Sequence, residues 1–160
     1  MIGVIVTFGG LGRIPIAPGT WGSLGALPLA WGCHAVGGIW LLVAVTIAIF
    51  VLGVWASAAY LKGRADDPSE IVIDEVAGQL IALWPLSLGL TMMGSAPEVW
   101  PWPGWVGGFL LFRFFDIVKP PPVNWADRPG HWGVMLDDVV AGILAGAVML
   151  LAAGVSHGWF

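Results

Sequence analysis

Long apolar stretches separated by short polar ones set the pattern of this chain. Lys, Arg, Asp and Glu are absent from 14–61, 76–97, 99–112 and 139–160. A membrane-spanning helix needs about 20 predominantly apolar residues. The first stretch therefore holds two helices, and the second and fourth one each; the third is short and extends through Phe115. The pattern predicts an all-α fold, a small polytopic membrane helical bundle of four to five membrane segments, in one domain over 1–160.

The breaks can be placed. Residues 8–23, FGGLGRIPIAPGTWGS, carry Pro15, Pro18 and Gly19 and read as irregular backbone. Segment one runs from about Thr20 to Trp31 and contains Pro28, which makes it a broken or partly inserted helix, with Gly32, Gly37 and Gly38 marking the turn. Segment two spans about Ile39 to Leu61, with Trp40 near one end and Tyr60, Lys62 and Arg64 at the other, where part-polar rings and cations suit a membrane boundary. Segment three starts near Pro68: Asp67-Pro68-Ser69-Glu70 fits an N-cap, a proline at the first helical position and an acid at the third. It continues to about Met93, kinked at Pro85. Segment four runs from about Trp105 to Val118 and stops before Pro120, Pro121 and Pro122; segment five runs from about Val134 to Val155. Gly104 with Gly108 and Gly142 with Gly146 give the spacing that lets helices approach closely in lipid, within one chain or between copies in an oligomer.

Composition agrees with this. The chain is 58% hydrophobic and 10% charged, against roughly 25% charged in a soluble domain. A net charge of −4 with no basic tail argues against nucleic acid as a partner. The single cysteine, Cys33, excludes an intramolecular disulfide and reads as a small residue on the lipid side. No cleavable signal peptide is visible. With five crossings, Arg13, the 62–75 cluster and the charges of 113–138 fall on one face, with Glu98, His34 and His157 on the other. The positive-inside rule makes the charged face cytoplasmic.

That face is rich in carboxylates. Asp66, Asp67 and Glu70 suit a helix start and its dipole. Asp74 and Glu75 come about two turns further on, where capping does not explain them and an ionised carboxylate facing lipid costs several kcal/mol. Asp74 lies four residues before Gly78, over a gap where another helix can come close, and Asp138 before Gly142 repeats the geometry. Asp116 sits at the unfavourable end of its helix dipole and calls for a cation, which Arg113 or Lys119 can supply. Asp74, Glu75, Asp116, Asp137 and Asp138 thus meet at one depth. Like charges this close repel, and a divalent cation removes the conflict. All-oxygen ligation points to Mg²⁺ or Mn²⁺. Arg13, Arg113, Lys119 and Arg128 are placed to hold phosphate oxygens. Backbone N–H groups of 8–23, with the Thr20 and Ser23 hydroxyls, suit the same task, although a Gly-rich loop more often means a flexible linker. His131, the one histidine on this face, reads as solvated, with a general acid or base role as its alternative.

Four stretches together resemble the phosphatidylglycerophosphatase A family: APGTWGS at 17–23, the DP-to-DEVAG run at 67–78, FRFFDIVKP at 112–120 with its following DR, and GVMLDDVVAG at 133–142. The resemblance implies a helical, Mg²⁺-dependent enzyme of the bacterial inner membrane that converts phosphatidylglycerophosphate to phosphatidylglycerol. Residue by residue, it implies functional roles for Asp67, Asp74, Glu75, Asp116, Asp137 and Asp138, with Lys119 and Thr20. Lipid phosphatases and phosphotransferases of other kinds fit less well, because D-G-x-x-A-R and P-S-G-H motifs are missing. The alternatives are a phosphatase for another lipid phosphate, a cation or proton transporter built on the acids, and a non-catalytic protein that binds anionic lipid.

Overall fold

The computed structural model describes residues 1–63, 68–96, 99, 101–128 and 130–156. Among the described residues every regular element is helical. After α1 (Ile2–Val6) and a 3₁₀ turn at Leu11–Arg13 come α2 (Pro18–Leu61), α3 (Ile73–Ala82), α4 (Trp84–Met92), α5 (Trp102–Val118), α6 (Val123–Ala126) and α7 (His131–Ser156).

α2 is a hairpin. Gly37 leaves helical geometry, and Gly38 adopts φ 59°, ψ −151°, a region open in practice only to glycine. Ala26, Ala30 and Cys33 before the turn share a core with Leu42, Val45 and Ile49 after it. Both ends of the hairpin reach the same region: Gly19 packs on Glu75, and the Tyr60 hydroxyl donates to Glu70. The first arm is longer than the segment expected at Thr20–Trp31, because Pro28 sits inside it without ending it. Cys33 is buried against the second arm, not turned to lipid.

Among the described residues two helices, α2 and α7, are long and apolar enough to cross a membrane, fewer than the four to five segments the sequence pattern predicts. Two breaks account for the difference. Two of the expected segments are the arms of one helix, folded over at Gly37–Gly38. The segment expected over 68–93 is divided: Leu83, just ahead of Trp84 and Pro85 at the start of α4, separates α3 and α4, which are 10 and 9 residues long and so each well short of a crossing. α5, at 17 residues, falls just below that length. In the most apolar stretches of α2 and α7 only 17% and 28% of the residues are buried, unlike the core helix of a soluble protein. Trp40, Val51 and Trp55 of α2, Phe114 and Ile117 of α5 and Leu151 and Val155 of α7 turn outward.

The start of α3 also differs from expectation. Asp66 and Asp67 lie outside the described residues. Pro68–Val72 is not helical: the Ile71 N–H donates to Pro68 O and the Val72 N–H to Val6 O at 2.9 Å, which ties this strap to α1. Helix begins only at Ile73, so Asp74 and Glu75 stand in its first turn, not two turns in. The N-cap position is taken by Val72, which makes no side-chain cap hydrogen bond.

α3 is the central element, with Ile73, Asp74 and all of Val76–Ala82 buried. It lies between the first arm of α2, α5 and α7. On its α7 side, a Cβ added at Gly78 would stand 2.5 Å from Asp138 O, and one added at Gly142 would collide with Gly78 O. The two backbones therefore touch with no side chain between them. Gly142→Val is expected to destabilise the protein by about 1–3 kcal/mol, the usual range for overpacking a tight contact. Thermal unfolding of the full chain in detergent measures it; an unchanged midpoint would contradict the close approach.

Candidate active site

The first turn of α3 faces α7 one turn above the glycine contact, and this height sets which acids meet. Asp74 and Glu75 of α3 and Asp138 of α7 each place a carboxylate oxygen within 4.8 Å of the other two. Asp74 and Asp138 are buried and Glu75 is half-buried. Asp74 Oδ1 accepts a hydrogen bond from the Glu75 N–H at 3.0 Å. Carboxylates gathered this closely repel one another when all are ionised, and a shared proton or a cation relieves the conflict.

Two atoms decide how well a cation fits. Glu75 Oε2 and Asp138 Oδ1 are buried with no hydrogen-bond partner among the described residues. Buried oxygens without donors are costly. An all-oxygen donor set carrying excess negative charge is the chemistry that hard divalent cations take. The cluster can hold a divalent cation.

Beside it lies a cavity of about 320 Å³ lined by Ala17, Pro18, Gly19, Asp74, Glu75 and Arg113, with the 68–71 strap and Val134 completing the wall. The Arg113 guanidinium, on the last turns of α5, pairs with Asp116 at 2.5 Å. Asp116 thus obtains its compensating cation from Arg113, while Lys119, equally distant in sequence, pairs elsewhere. The first turn of α2 reaches the cavity because Pro18 starts that helix, and proline is suited to a first helical position.

Other expected residues take different places. Thr20 and Ser23 belong to a helix instead of an irregular phosphate-cradling loop. The Thr20 N–H bonds to Ala17 O, and the buried Ser23 hydroxyl donates to Gly19 O at 2.9 Å. Arg13 is exposed at the end of the 3₁₀ turn, and Arg128 is exposed with its Nε–H donating to Trp125 O at 3.2 Å. His131 opens α7 with its ring 5.8 Å from that of Trp132. Asp137 turns away from the three-acid cluster: its Oδ2 accepts from Lys119 Nζ at 2.7 Å, while Asp127 Oδ2 lies 2.8 Å from the same ammonium. Burial alone would lower the Lys119 pKa, but these hydrogen bonds and charges outweigh it and hold the ammonium above its ordinary value.

Sequence reasoning missed the polar groups inside the bundle. His34 is buried with Nδ1 2.8 Å from Ser87 Oγ, and the Trp84 indole N–H donates to Thr46 Oγ1 at 3.2 Å. Gln79 is fully buried one turn beyond Glu75, and both of its amide heteroatoms lack protein partners. Its spacing of four from Glu75 is the one signal the sequence offered.

The comparisons with known proteins match this arrangement along the chain. The profile of a family described as phosphatidylglycerophosphatase A matches residues 4–153. The chain belongs to that family. It is 32% identical over 160 residues to the phosphatidylglycerophosphatase A of Escherichia coli K12, covering 94% of this chain and 80% of the relative. To the phosphatidylglycerophosphatase A of Haemophilus influenzae it is 36% identical, covering 85% and 78%. A Bacteroides thetaiotaomicron protein provisionally named a phosphatidylinositol-3-phosphatase is 33% identical, covering 89% and 87%. No solved structure matches. The family match takes in all the acids of the cluster and the first turn of α2.

That turn contacts the cluster directly. A Cβ at Gly19 would occupy the place of Glu75 Oε1 and come within 3.1 Å of an Arg113 nitrogen. Gly19→Ala is therefore expected to weaken divalent-cation binding about tenfold, the equivalent of 1.4 kcal/mol, with helix content unchanged. Mn²⁺ titration followed by electron paramagnetic resonance reads the change, and wild-type affinity would separate Gly19 from the site.

Proposed function

We propose that the chain is a Mg²⁺-dependent phosphatidylglycerophosphatase of the bacterial inner membrane. It would remove the terminal phosphate of phosphatidylglycerophosphate at a site facing the cytoplasm. The observation that carries this reading is the convergence of Asp74, Glu75 and Asp138 beside a cavity lined by Arg113, in a member of this family. Asp74, Glu75 and Asp138 hold the ion, with Asp116 next to them. When bound, the cation neutralises these acids and stabilises charge on the phosphoryl oxygens.

The chain's own residues bind and orient the substrate. Arg113 offers its guanidinium to the phosphate from the cavity wall, and Asp116 fixes its direction. The N-terminal turn of α2 points the positive end of a helix dipole at the same space. Hydrolysis forms one bond from a water oxygen to phosphorus and breaks the ester P–O bond, so the lipid leaves with a hydroxyl. No D-x-D start of the haloacid-dehalogenase type is present, which supports direct attack by water. The acyl chains stay in the bilayer against the outward apolar face of α5. In the membrane the two arms of α2, the broken pair α3–α4, α5 and α7 make five passes, with the Lys and Arg residues on the cytoplasmic side.

A phosphatase for a different lipid phosphate is the second reading, favoured by the name of the Bacteroides relative. Purified chain assayed on phosphatidylglycerophosphate and on phosphatidylinositol-3-phosphate separates the two. The expected outcome is release from the first, lost on chelation and restored by Mg²⁺. Asp74→Asn and Asp138→Asn are expected to lower turnover by at least about 10²-fold, the upper range for losing a partner of a metal ligand. Normal turnover in both variants would sink the site; preference for the inositol lipid would replace the substrate.

A further inference from the structure

A second group of charged side chains stands outside the lining of the cavity: Lys119 after α5, Asp127 after α6 and Asp137 in α7. We propose that this group is a clamp that sets the rotation of α7. Lys119 is then a positioning residue, not a phosphate ligand, and Asp137 anchors it instead of holding the cation. This rests on the cation reading of Asp74, Glu75 and Asp138 given above.

The argument starts from helix geometry. Successive residues on α7 point about 100° apart, so Asp137 and Asp138 are aimed in different directions. Asp138 lies on the Gly142 side, where the α3 backbone touches. Asp137 lies on the Ala141–Ala145 side, where α7 shares a core with Ala82 at the far end of α3, Phe112 of α5 and Val123 of α6. An ion pair on that side fixes which acid reaches Glu75. Lys119 already meets two carboxylates, at 2.7 and 2.8 Å, so its charge is committed before any phosphate arrives. Lys119 also adopts φ 46°, ψ 53° at the end of α5, a left-handed conformation that usually goes to glycine. A long cationic side chain stands there because the reversal of the chain aims it at α7.

Asp137 is 7% exposed. Without Lys119 its charge would be buried and uncompensated, and α7 relieves that by turning or shifting. A turn of α7 moves Asp138 away from Asp74 and Glu75. The remaining oxygen, Asp137 Oδ1, is buried without a hydrogen-bond partner, which makes direct cation ligation the alternative to be tested.

Full-length chain in nanodiscs allows Mn²⁺ affinity, measured without substrate, to be compared with kcat and KM for the lipid phosphate. Lys119→Gln is expected to weaken Mn²⁺ binding and to lower kcat, each about tenfold, with KM within about threefold. Lys119→Arg restores both to within about threefold, since Arg keeps the charge and the reach. Asp137→Asn weakens Mn²⁺ binding no more than Lys119→Gln, and the double variant is no worse than Lys119→Gln alone, as coupled residues behave. A tenfold rise in KM with kcat kept in Lys119→Gln would make Lys119 a phosphate ligand and overturn the proposal. Loss of all Mn²⁺ binding in Asp137→Asn, matching Asp138→Asn, would overturn it as well. If Asp137→Asn does not fold, the Lys119→Gln and Lys119→Arg pair decides alone. Full Mn²⁺ binding in Asp138→Asn would mean that the cation reading itself has failed, a result distinct from those of the clamp.

Discussion

The structure depends on one contact, the meeting of α3 and α7 at Gly78 and Gly142. Two helices approach this closely only where neither carries a side chain, and in an apolar bundle such packing replaces the hydrophobic drive that lipid cannot supply. The contact also sets the chemistry. Asp74 and Asp138 each stand four residues before a contact glycine, so the approach that packs the helices also presses their carboxylates together. Glu75 joins them because the first arm of α2 has glycine at position 19 and leaves room for its oxygen. Packing and acid clustering are one arrangement, and the electrostatic conflict it creates is what a divalent cation would resolve.

The rest of the fold directs this conflict to one end of the bundle. The Gly37–Gly38 reversal returns α2 to the side it left, so Gly19 and Tyr60 both reach the strap and the start of α3. The strap from Pro68 to Val72 stays non-helical because it bonds to α1. α5 arrives from the opposite end and delivers Arg113 and Asp116 in its last turns. Two ion-paired groups result, one centred on Arg113 at the cavity and one on Lys119 beyond it.

Much of the site was legible in the sequence, for a stated reason. Carboxylates are rare in a chain of this composition, and the Asp-x-x-x-Gly spacing on two segments marks both the acid and the gap that admits its partner. Asp74 and Asp138 are candidates on that ground, Glu75 on its place beside Asp74, and Asp116 on its place at the end of a helix. Asp137 did not separate from Asp138 by composition, since only the rotation of α7 distinguishes neighbours on a helix. The 8–23 stretch reads as irregular because of its Gly and Pro, whereas Pro18 opens a helix that takes in Thr20 and Ser23. The helix start was set too early because Asp67-Pro68-Ser69-Glu70 has the local signature of a cap, and a hydrogen bond to distant Val6 overrides it. The His34–Ser87 pair carries no local pattern, and Gln79 offers only its spacing of four from Glu75; burial makes them visible.

Anomalous diffraction from crystals of the full chain soaked in Mn²⁺ tests the central claim most directly. The account predicts a peak bounded by Asp74, Glu75 and Asp138 with oxygens at about 2–2.2 Å, near the bond length of hard octahedral cations, and with Asp137 still on Lys119. A peak coordinated through Asp137, or none beside α3, would contradict it.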